Sequence, residues 1–112
     1  MKRIQAIIRP GKLQIVKTAL EDLNHGGMTL TEVRGHGTQR GITEQWRGQS
    51  FSVEYLTKVK IELVVNDSEV DSIIDRIIEA ARTGEVGDGK IFVTHVERAV
   101  RIRTGETDDA AI

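Results

Sequence analysis

The sequence predicts a single α+β domain over residues 1–112, with two helices on one face of an antiparallel sheet of four strands. Four segments show the alternation of apolar and polar residues that is typical of half-buried strands. Two further segments have apolar residues at intervals of three and four, which is typical of helices. The segments follow one another as strand, helix, strand, and this order occurs twice.

The first half of the chain begins with a predicted strand over residues 2–9, which Pro10 and Gly11 end. A helix is predicted next, because its apolar residues form one stripe: Leu13, Val16, Leu20 and Leu23. Residues 24–27, with the sequence Asn-His-Gly-Gly, suit the left-handed conformation that often ends a helix. A second strand is then predicted over residues 28–34.

The second half repeats this order, beginning with an alternating strand over residues 58–65. Ser68 and Asp71 resemble a capping box, in which two side chains satisfy free amides at the start of a helix. The helix that follows is predicted to reach Gly84, with a clear apolar stripe: Val70, Ile73, Ile74, Ile77, Ile78 and Ala81.

Residues 91–96 form the fourth predicted strand, and residues 99–103 a short extended segment. The repeated order is typical of the ferredoxin-like arrangement, in which both helices cover one face of the sheet. The other face would then carry apolar side chains (Ile7, Val33, Val64, Phe92, Val96) among polar ones (Lys58, Lys60, Glu62, Thr94). Because soluble domains seldom leave such a face in water, we expect a homo-oligomer.

Residues 35–56 break the periodicity and are predicted to be a long excursion without secondary structure of its own. Loops of this length in compact domains are commonly functional. Trp46 and Arg47 are residue types that anchor contacts with partner proteins, whereas Phe51 and Tyr55 would alternatively fold back onto the core. The excursion is therefore a candidate partner-binding loop.

A second candidate site is the segment Thr83-Gly84-Glu85-Val86-Gly87-Asp88-Gly89-Lys90. Its three glycines allow backbone amides to approach an anion closely, and Lys90 adds a cation. If residues 99–103 are extended, Arg101 and Arg103 project from one face and can close on the same anion. The pattern indicates a phosphate site, although an ordinary helix C-terminus and loop would contain similar glycines.

Composition limits the possible partners. The chain has 16 Lys and Arg against 17 Asp and Glu, which gives a net charge of −1. It therefore lacks the excess of basic residues that would indicate nucleic-acid binding. It has no cysteine, which excludes disulfides, thiolate metal sites and a cysteine nucleophile. The apolar residues near its start are too few for a signal peptide or a membrane span, so we expect a cytoplasmic protein without membrane insertion.

Residues for catalysis or metal binding are poorly represented. The three histidines, His25, His36 and His95, lack metal-ligand spacing, and Ser50 lacks the strand-to-helix turn of a catalytic serine. Phosphate binding without a recognisable base or nucleophile favours a sensor over an enzyme. A metal-binding oligomer of the same architecture would need a cluster of ligands, and the sequence offers none.

Several segments together resemble the PII signal-transduction proteins of nitrogen control: KRIQAIIRP, GMTLTEVRG, TEQWRG, KVKIELVV, TGEVGDGKIFV and VRIRTGE. The likeness spans essentially the whole chain without apparent gaps. It implies a homotrimer of ferredoxin-like subunits whose clefts bind ATP or ADP competitively. It also implies that 2-oxoglutarate binds beside Mg²⁺ and ATP, and that the long loop, called the T-loop and placed at about residues 37–55, docks on target proteins.

The resemblance also implies roles for single residues. The nucleotide-binding residues are Thr29, Gly35, Gly37, Thr38, Glu62, Val64, Gly87, Asp88, Gly89, Lys90, Arg101 and Arg103. Those for 2-oxoglutarate are Gln39, Lys58 and Gly87, with Gln39 also contacting Mg²⁺. The expected partner contacts of the T-loop are Trp46, Arg47 and Phe51.

Some positions depart from the family pattern. Thr38 stands where an arginine commonly reaches the phosphates, and His36 replaces a usual aromatic residue. Phe51 occupies the place of a tyrosine that many members have uridylylated or adenylylated, and Gln49 that of a serine phosphorylated in others. We therefore expect no uridylylation at Phe51, which has no hydroxyl group.

The sequence thus predicts a non-enzymatic PII-like sensor of ATP/ADP and 2-oxoglutarate that regulates nitrogen-metabolism targets through its T-loop. Candidate targets are an ammonium transporter, a nucleotidyl- or adenylyltransferase, a biosynthetic kinase and glutamine synthetase. The alternative is a small ferredoxin-like enzyme that hydrolyses a nucleotide or transfers a phosphoryl group.

Overall fold

The structure, a computed structural model, describes residues 1–25, 27–36, 43–46, 49–52 and 55–112. Its strands are β1 (Lys2–Ile8), β2 (Thr29–His36), β3 (Thr43–Trp46), β4 (Gln49–Ser52), β5 (Tyr55–Val65) and β6 (Gly89–His95). Its α-helices are α1 (Leu13–Asp22) and α2 (Val70–Ala81), and short 3-10 turns lie at Pro10–Lys12, Asp67–Glu69 and Asp108–Ala111.

Four of the strands form one antiparallel sheet in the order β2-β5-β1-β6. This order confirms the predicted ferredoxin-like fold. Each residue of β1 that faces the helices is paired with residues of β5 and β6 that face the same way. Ile4, for example, pairs with Leu63 of β5 and Val93 of β6. The register therefore sends one set of alternating side chains to the helices and the other set to the open face.

The core lies between the sheet and the two helices. Its buried apolar residues come from β1 (Ile4, Ala6, Ile8), β5 (Val59, Ile61, Leu63, Val65), α1 (Val16, Leu20) and α2 (Ile73, Ile77, Ala81). These are the inner positions of the predicted strands and members of the predicted helical stripes. Burial of alternating and helical apolar residues against one another is therefore what holds the layers together.

Helix α1 ends as predicted, through a residue in the left-handed conformation. Asn24 has φ +63°, its amide donates to the Glu21 carbonyl (2.9 Å), and the His25 amide donates to the Leu20 carbonyl (2.8 Å). These two bonds satisfy carbonyls that the end of a helix would otherwise leave free.

The predicted start and end of α2 were wrong. A 3-10 turn precedes the helix and Glu69 is its N-cap without a side-chain bond, so Ser68 and Asp71 form no capping box. The helix also ends at Ala81 instead of Gly84, because Arg82 already has an extended backbone. Its last apolar contact with the core is made at Ala81.

The prediction that residues 35–56 lack secondary structure was also wrong. β2 continues to His36, β5 begins at Tyr55, and β3 and β4 form a separate two-stranded antiparallel sheet. The sequence does contain a signal for this hairpin. Two short segments with β-branched or aromatic residues are separated by two residues, of which the second is Gly48.

Residues 99–103 do not form the predicted extended segment. Val100 makes an isolated β-bridge to Thr107. The amide of Arg101 donates to the carbonyl of Glu106, and the carbonyl of Arg101 accepts from the amide of Gly105 (both 2.8 Å). The chain therefore turns directly after Arg101. The premise that Arg101 and Arg103 project from one face of a strand was wrong, because this turn separates them.

The open face of the sheet has the predicted mixed character. Register places Ile7, Val33, Val64 and Phe92 on it, and Phe92 is 47% exposed in the single chain. Val96 lies beyond the end of β6. Among the described helices, none is long and apolar enough to cross a membrane.

Candidate functional site

The carboxylate of Asp88 closes the loop between α2 and β6. Its Oδ2 accepts hydrogen bonds from the backbone amides of Thr83 (2.8 Å) and Gly84 (2.9 Å), and its Oδ1 accepts one from the Thr83 hydroxyl. Arg9, directly after β1, donates from Nε to Oδ1 (3.1 Å) and forms an ion pair. Because both oxygens are engaged, the group that Asp88 can present to a ligand here is its backbone amide.

These bonds also set the charge of the carboxyl group. The hydroxyl of Thr83, then its amide, the amide of Gly84 and the guanidinium of Arg9 hold the pKa of the Asp88 carboxyl well below its usual range. Asp88 is therefore a charged acceptor at neutral pH.

Two cations lie against carbonyl groups of the same loop. Arg9 Nη2 donates to the carbonyl oxygen of Val86 (2.8 Å), and Lys58 Nζ donates to that of Gly87 (2.6 Å). In a trans peptide the carbonyl and the following amide point in opposite directions. The two contacts therefore turn the amides of Gly87 and Asp88 away from the cations, where they can bind an anion.

Lys58 is half-buried and has a second cation, Arg9, as a neighbour. Burial lowers the pKa of Lys58, the neighbouring charge of Arg9 lowers it further, and Asp88 acts in the opposite direction. A bound anion would relieve the repulsion between the two cations.

Gly89 is required by the sheet itself. It has φ +105° and pairs with Ile8, and a Cβ atom on it would lie 1.7 Å from the carbonyl oxygen of Ile7. The close approach of β1 and β6 therefore excludes any side chain at this position. Lys90 follows it, exposed and on the open face opposite Ile7.

A second group of predicted residues surrounds Glu62 in the middle of the sheet. Glu62 accepts a hydrogen bond from Gln5 (2.9 Å) and pairs with Lys60 (3.2 Å), and these two donors, Gln5 first, lower the pKa of its carboxyl group. A cavity of about 240 Å³ lies beside it, lined by Arg3, Gly27, Met28, Thr29, Leu63 and Val64. The predicted residues Thr29, Glu62 and Val64 are thus brought together.

The two groups are separated along the strands. The glycine loop and Lys58 lie near the start of β6, whereas Thr29 pairs with Glu62, four residues further along β5 than Lys58. The far end of β6, His95, lies six residues after Gly89, about 20 Å away at the usual rise per residue, and Arg101 and Arg103 come after it in the chain. The described backbone bonds of the hairpin that contains these two arginines, including Arg101 to Glu106, are internal.

Comparison with known proteins identifies the family. A model of the family Nitrogen regulatory protein P-II matches residues 1–106. The chain is 57% identical over 112 residues to nitrogen regulatory protein P-II 1 of Escherichia coli, with both proteins covered completely. It is 55% identical to nitrogen regulatory protein P-II of Nostoc punctiforme over the whole of both chains. It is also 54% identical to nitrogen regulatory protein P-II 2 of Methanothermobacter thermautotrophicus, of which 97% is covered. The chain belongs to the PII family.

Membership confirms the coarser part of the predicted function. PII proteins are signalling regulators that act on target proteins, so the chain has a role in nitrogen-regulation signalling. It also confirms that the protein is a regulator rather than an enzyme, against the alternative of a small phosphoryl-transfer enzyme.

The roles of all the predicted site residues of this PII chain stay predictions, and some of these residues are not described by the structure in full. Gly37, Thr38, Gln39 and Arg47 lie outside the described residues. For three others the structure gives the strand in which they lie, with its pairing, and no more: Gly35 in β2, Trp46 in β3 and Phe51 in β4. Within the part of the chain that the structure describes, no three His, Asp or Glu residues lie together as a metal site.

Three residues that contact predicted site residues were given no role of their own in the sequence analysis: Gln5 and Arg9, which fall in the predicted first strand, and Thr83, the first residue of the glycine segment. Each acts through a partner that is far away in sequence or across the loop, as Arg9 does with Asp88. For Thr83 a signal existed, since a threonine just after a helix and an aspartate five residues later can bond across a turn.

Proposed function

We propose that this PII protein senses ATP or ADP together with 2-oxoglutarate and transmits the result to nitrogen-metabolism targets through the T-loop at residues 37–55. The observation that supports this best is the contact between Lys58 Nζ and the Gly87 carbonyl (2.6 Å). It links the residue expected to bind the effector to the loop expected to bind phosphate. Both lie where β2 ends and β5 begins, so the ligands would act at the root of the T-loop.

The order of the two groups of residues along the chain supports sites shared between subunits, and the resemblance to PII proteins implies that the assembly is a homotrimer. The glycine loop precedes β6 and the arginine hairpin follows its far end, about 20 Å along the strand, so a nucleotide that contacts both would most simply be bound by two chains. In a cyclic oligomer, the glycine loop of one subunit can meet Arg101, Arg103 and the cavity beside Glu62 of the next. The half-apolar open face would be covered in the same assembly.

Mg²⁺ fits this site as an ion held chiefly by ATP. The described residues contain no carboxylate cluster for it, so the phosphates would supply most of its ligands, with Gln39 as the proposed amide ligand. 2-Oxoglutarate would chelate this ion through its keto oxygen and one carboxylate. The other carboxylate would be bound by Lys58, and Gly87 would contribute its backbone.

The T-loop is proposed to read out the ligands without covalent modification at its tip. Phe51 pairs with Glu44 in the hairpin and has no hydroxyl group to accept a nucleotidyl group. A ligand that favours one conformation of the loop root then changes the affinity for targets. The proposed partner contacts remain Trp46, Arg47 and Phe51, and the proposed targets remain the four classes named above.

Calorimetric titration of 2-oxoglutarate tests the proposal. We expect binding in the presence of Mg²⁺ and ATP, and much weaker binding with ADP, which lacks the γ-phosphate. Lys58→Ala should weaken effector binding by about ten- to a hundredfold, the usual effect of losing a charge-assisted hydrogen bond. Lys17→Ala, on α1, is the matched control and should bind as the wild type does.

Two results would reject this function. One is the absence of effector binding with Mg²⁺ and ATP. The other is multiple turnover of ATP at roughly one per second or faster, the rate range of enzymes.

A further inference from the structure

Thr83 makes contacts that bridge both sides of the glycine loop. Its hydroxyl donates to Asp88 Oδ1 and accepts a hydrogen bond from the Glu85 amide (3.1 Å), while its own amide donates to Asp88 Oδ2 (2.8 Å). A hydroxyl has one donor and two acceptor sites, so these bonds use it in both directions. Valine has the same shape and can make neither side-chain bond.

The network continues through Asp88 to Arg9. Arg9 donates from Nε to the Asp88 carboxylate and from Nη2 to the Val86 carbonyl. The loop is therefore held at its start by Thr83, in its middle at Val86 and at its end by Asp88. The residues on both sides of Asp88, Gly87 and Gly89, have positive φ (+103° and +105°). The sheet fixes Gly89, but glycine has little conformational preference of its own, so side-chain bonds help to select the conformation at Gly87.

We propose that Thr83 is a positioning residue for the nucleotide phosphates: acting through Asp88, its hydroxyl holds the loop in the conformation that presents the amides of Gly87 and Asp88. This inference rests on the proposed nucleotide site. Thr83 itself contacts Asp88 and Glu85, so its effect on the ligand is indirect. The consequence is that the hydroxyl group, and not merely the size of residue 83, determines phosphate affinity.

Calorimetric titration of ATP into the full-length protein with Mg²⁺ tests the inference with a matched pair of variants. Thr83→Val removes the hydroxyl and should raise the Kd for ATP by about tenfold, as expected for loss of an ordering hydrogen bond. Thr83→Ser keeps the hydroxyl and should stay within about twofold of wild type. Thr18→Val, an exposed threonine on α1, controls for the substitution itself.

Melting temperatures of the same variants separate positioning from simple stability. If Thr83 only stabilises the fold, Thr83→Val lowers the melting temperature and leaves the Kd unchanged, which overturns the inference. Equal weakening by valine and serine overturns it as well. Arg9→Met breaks the network from its other side and should weaken ATP binding in the same direction as Thr83→Val. Failure of the wild type to bind ATP would instead refute the nucleotide site itself, and the inference with it.

Discussion

Asp88 combines a structural and an electrostatic role in one side chain. Its carboxylate accepts bonds from the hydroxyl and amide of Thr83, from the Gly84 amide and from Arg9. The ion pair with Arg9 needs the ionised form, and the hydrogen bonds are stronger to a carboxylate than to a neutral carboxyl group. The stability that they contribute must therefore depend on pH.

Substitution of Asp88 by asparagine tests that dependence. Because the folded-state pKa of Asp88 is lowered, its contribution is complete above the carboxyl pKa of the unfolded chain, about 4. It is lost progressively as the pH falls toward the folded-state value. The melting temperatures of wild type and Asp88→Asn should thus differ more at pH 7 than at pH 3. An equal or larger difference at pH 3 would show that the charge is unimportant.

Candidate site residues could be picked out from the sequence where they lie close together in the chain. The glycines and Lys90 form a continuous segment, and their composition alone indicates an anion site. The carbonyl contacts of Arg9 and Lys58 were not predictable in this way, because they join residues 77 and 29 positions apart. Only the three-dimensional arrangement of β1, β5 and the loop shows that these cations orient amides.

At the scale of elements, the contact between β1 and β6 determines what residue 89 can be. Gly89→Ala would place a Cβ atom against the Ile7 carbonyl at φ +105°. We expect it to lower the free energy of unfolding by at least about 2 kcal/mol, from backbone strain and displaced strands. Gly11→Ala, where no atom lies within 4 Å of the new group, should change it by less than about 0.5 kcal/mol.

Denaturant unfolding at one fixed protein concentration is the appropriate measurement, because assembly also affects apparent stability. If Gly89→Ala unfolds at the same denaturant concentration as Gly11→Ala, β1 and β6 do not approach as closely as described. The result is independent of any nucleotide.

Strands and helices that contribute to the core were predicted well, and those outside it were not. Ile61 and Ile77 belong to periodic patterns that burial enforces, so their elements followed from the sequence. The β3-β4 hairpin makes no such pattern over its four-residue strands. The 3-10 turn before α2 likewise replaced the expected capping box, since local hydrogen bonding, which periodicity does not report, determines where a helix starts.

At the scale of the whole molecule, the two halves of the proposed nucleotide site lie in segments before and after β6. Lys90 marks one half and Arg103 the other, with most of β6 between them. In an assembly with sites shared between neighbours, the glycine loop and the arginine hairpin of one chain would contact two different nucleotides. Coupling among sites would then require no additional structural element.

Subunit mixing tests the shared site most directly. Lys90→Ala and Arg103→Ala should each weaken ATP binding when pure, since each removes one cation from every site. When the two variants are unfolded and refolded together, random assembly of trimers should place an intact loop beside an intact arginine hairpin in about one quarter of the sites. Calorimetry should then detect that fraction of sites with wild-type affinity. If refolded mixtures regain no tight site, or if either pure variant binds ATP as the wild type does, the nucleotide is not bound between subunits in this way.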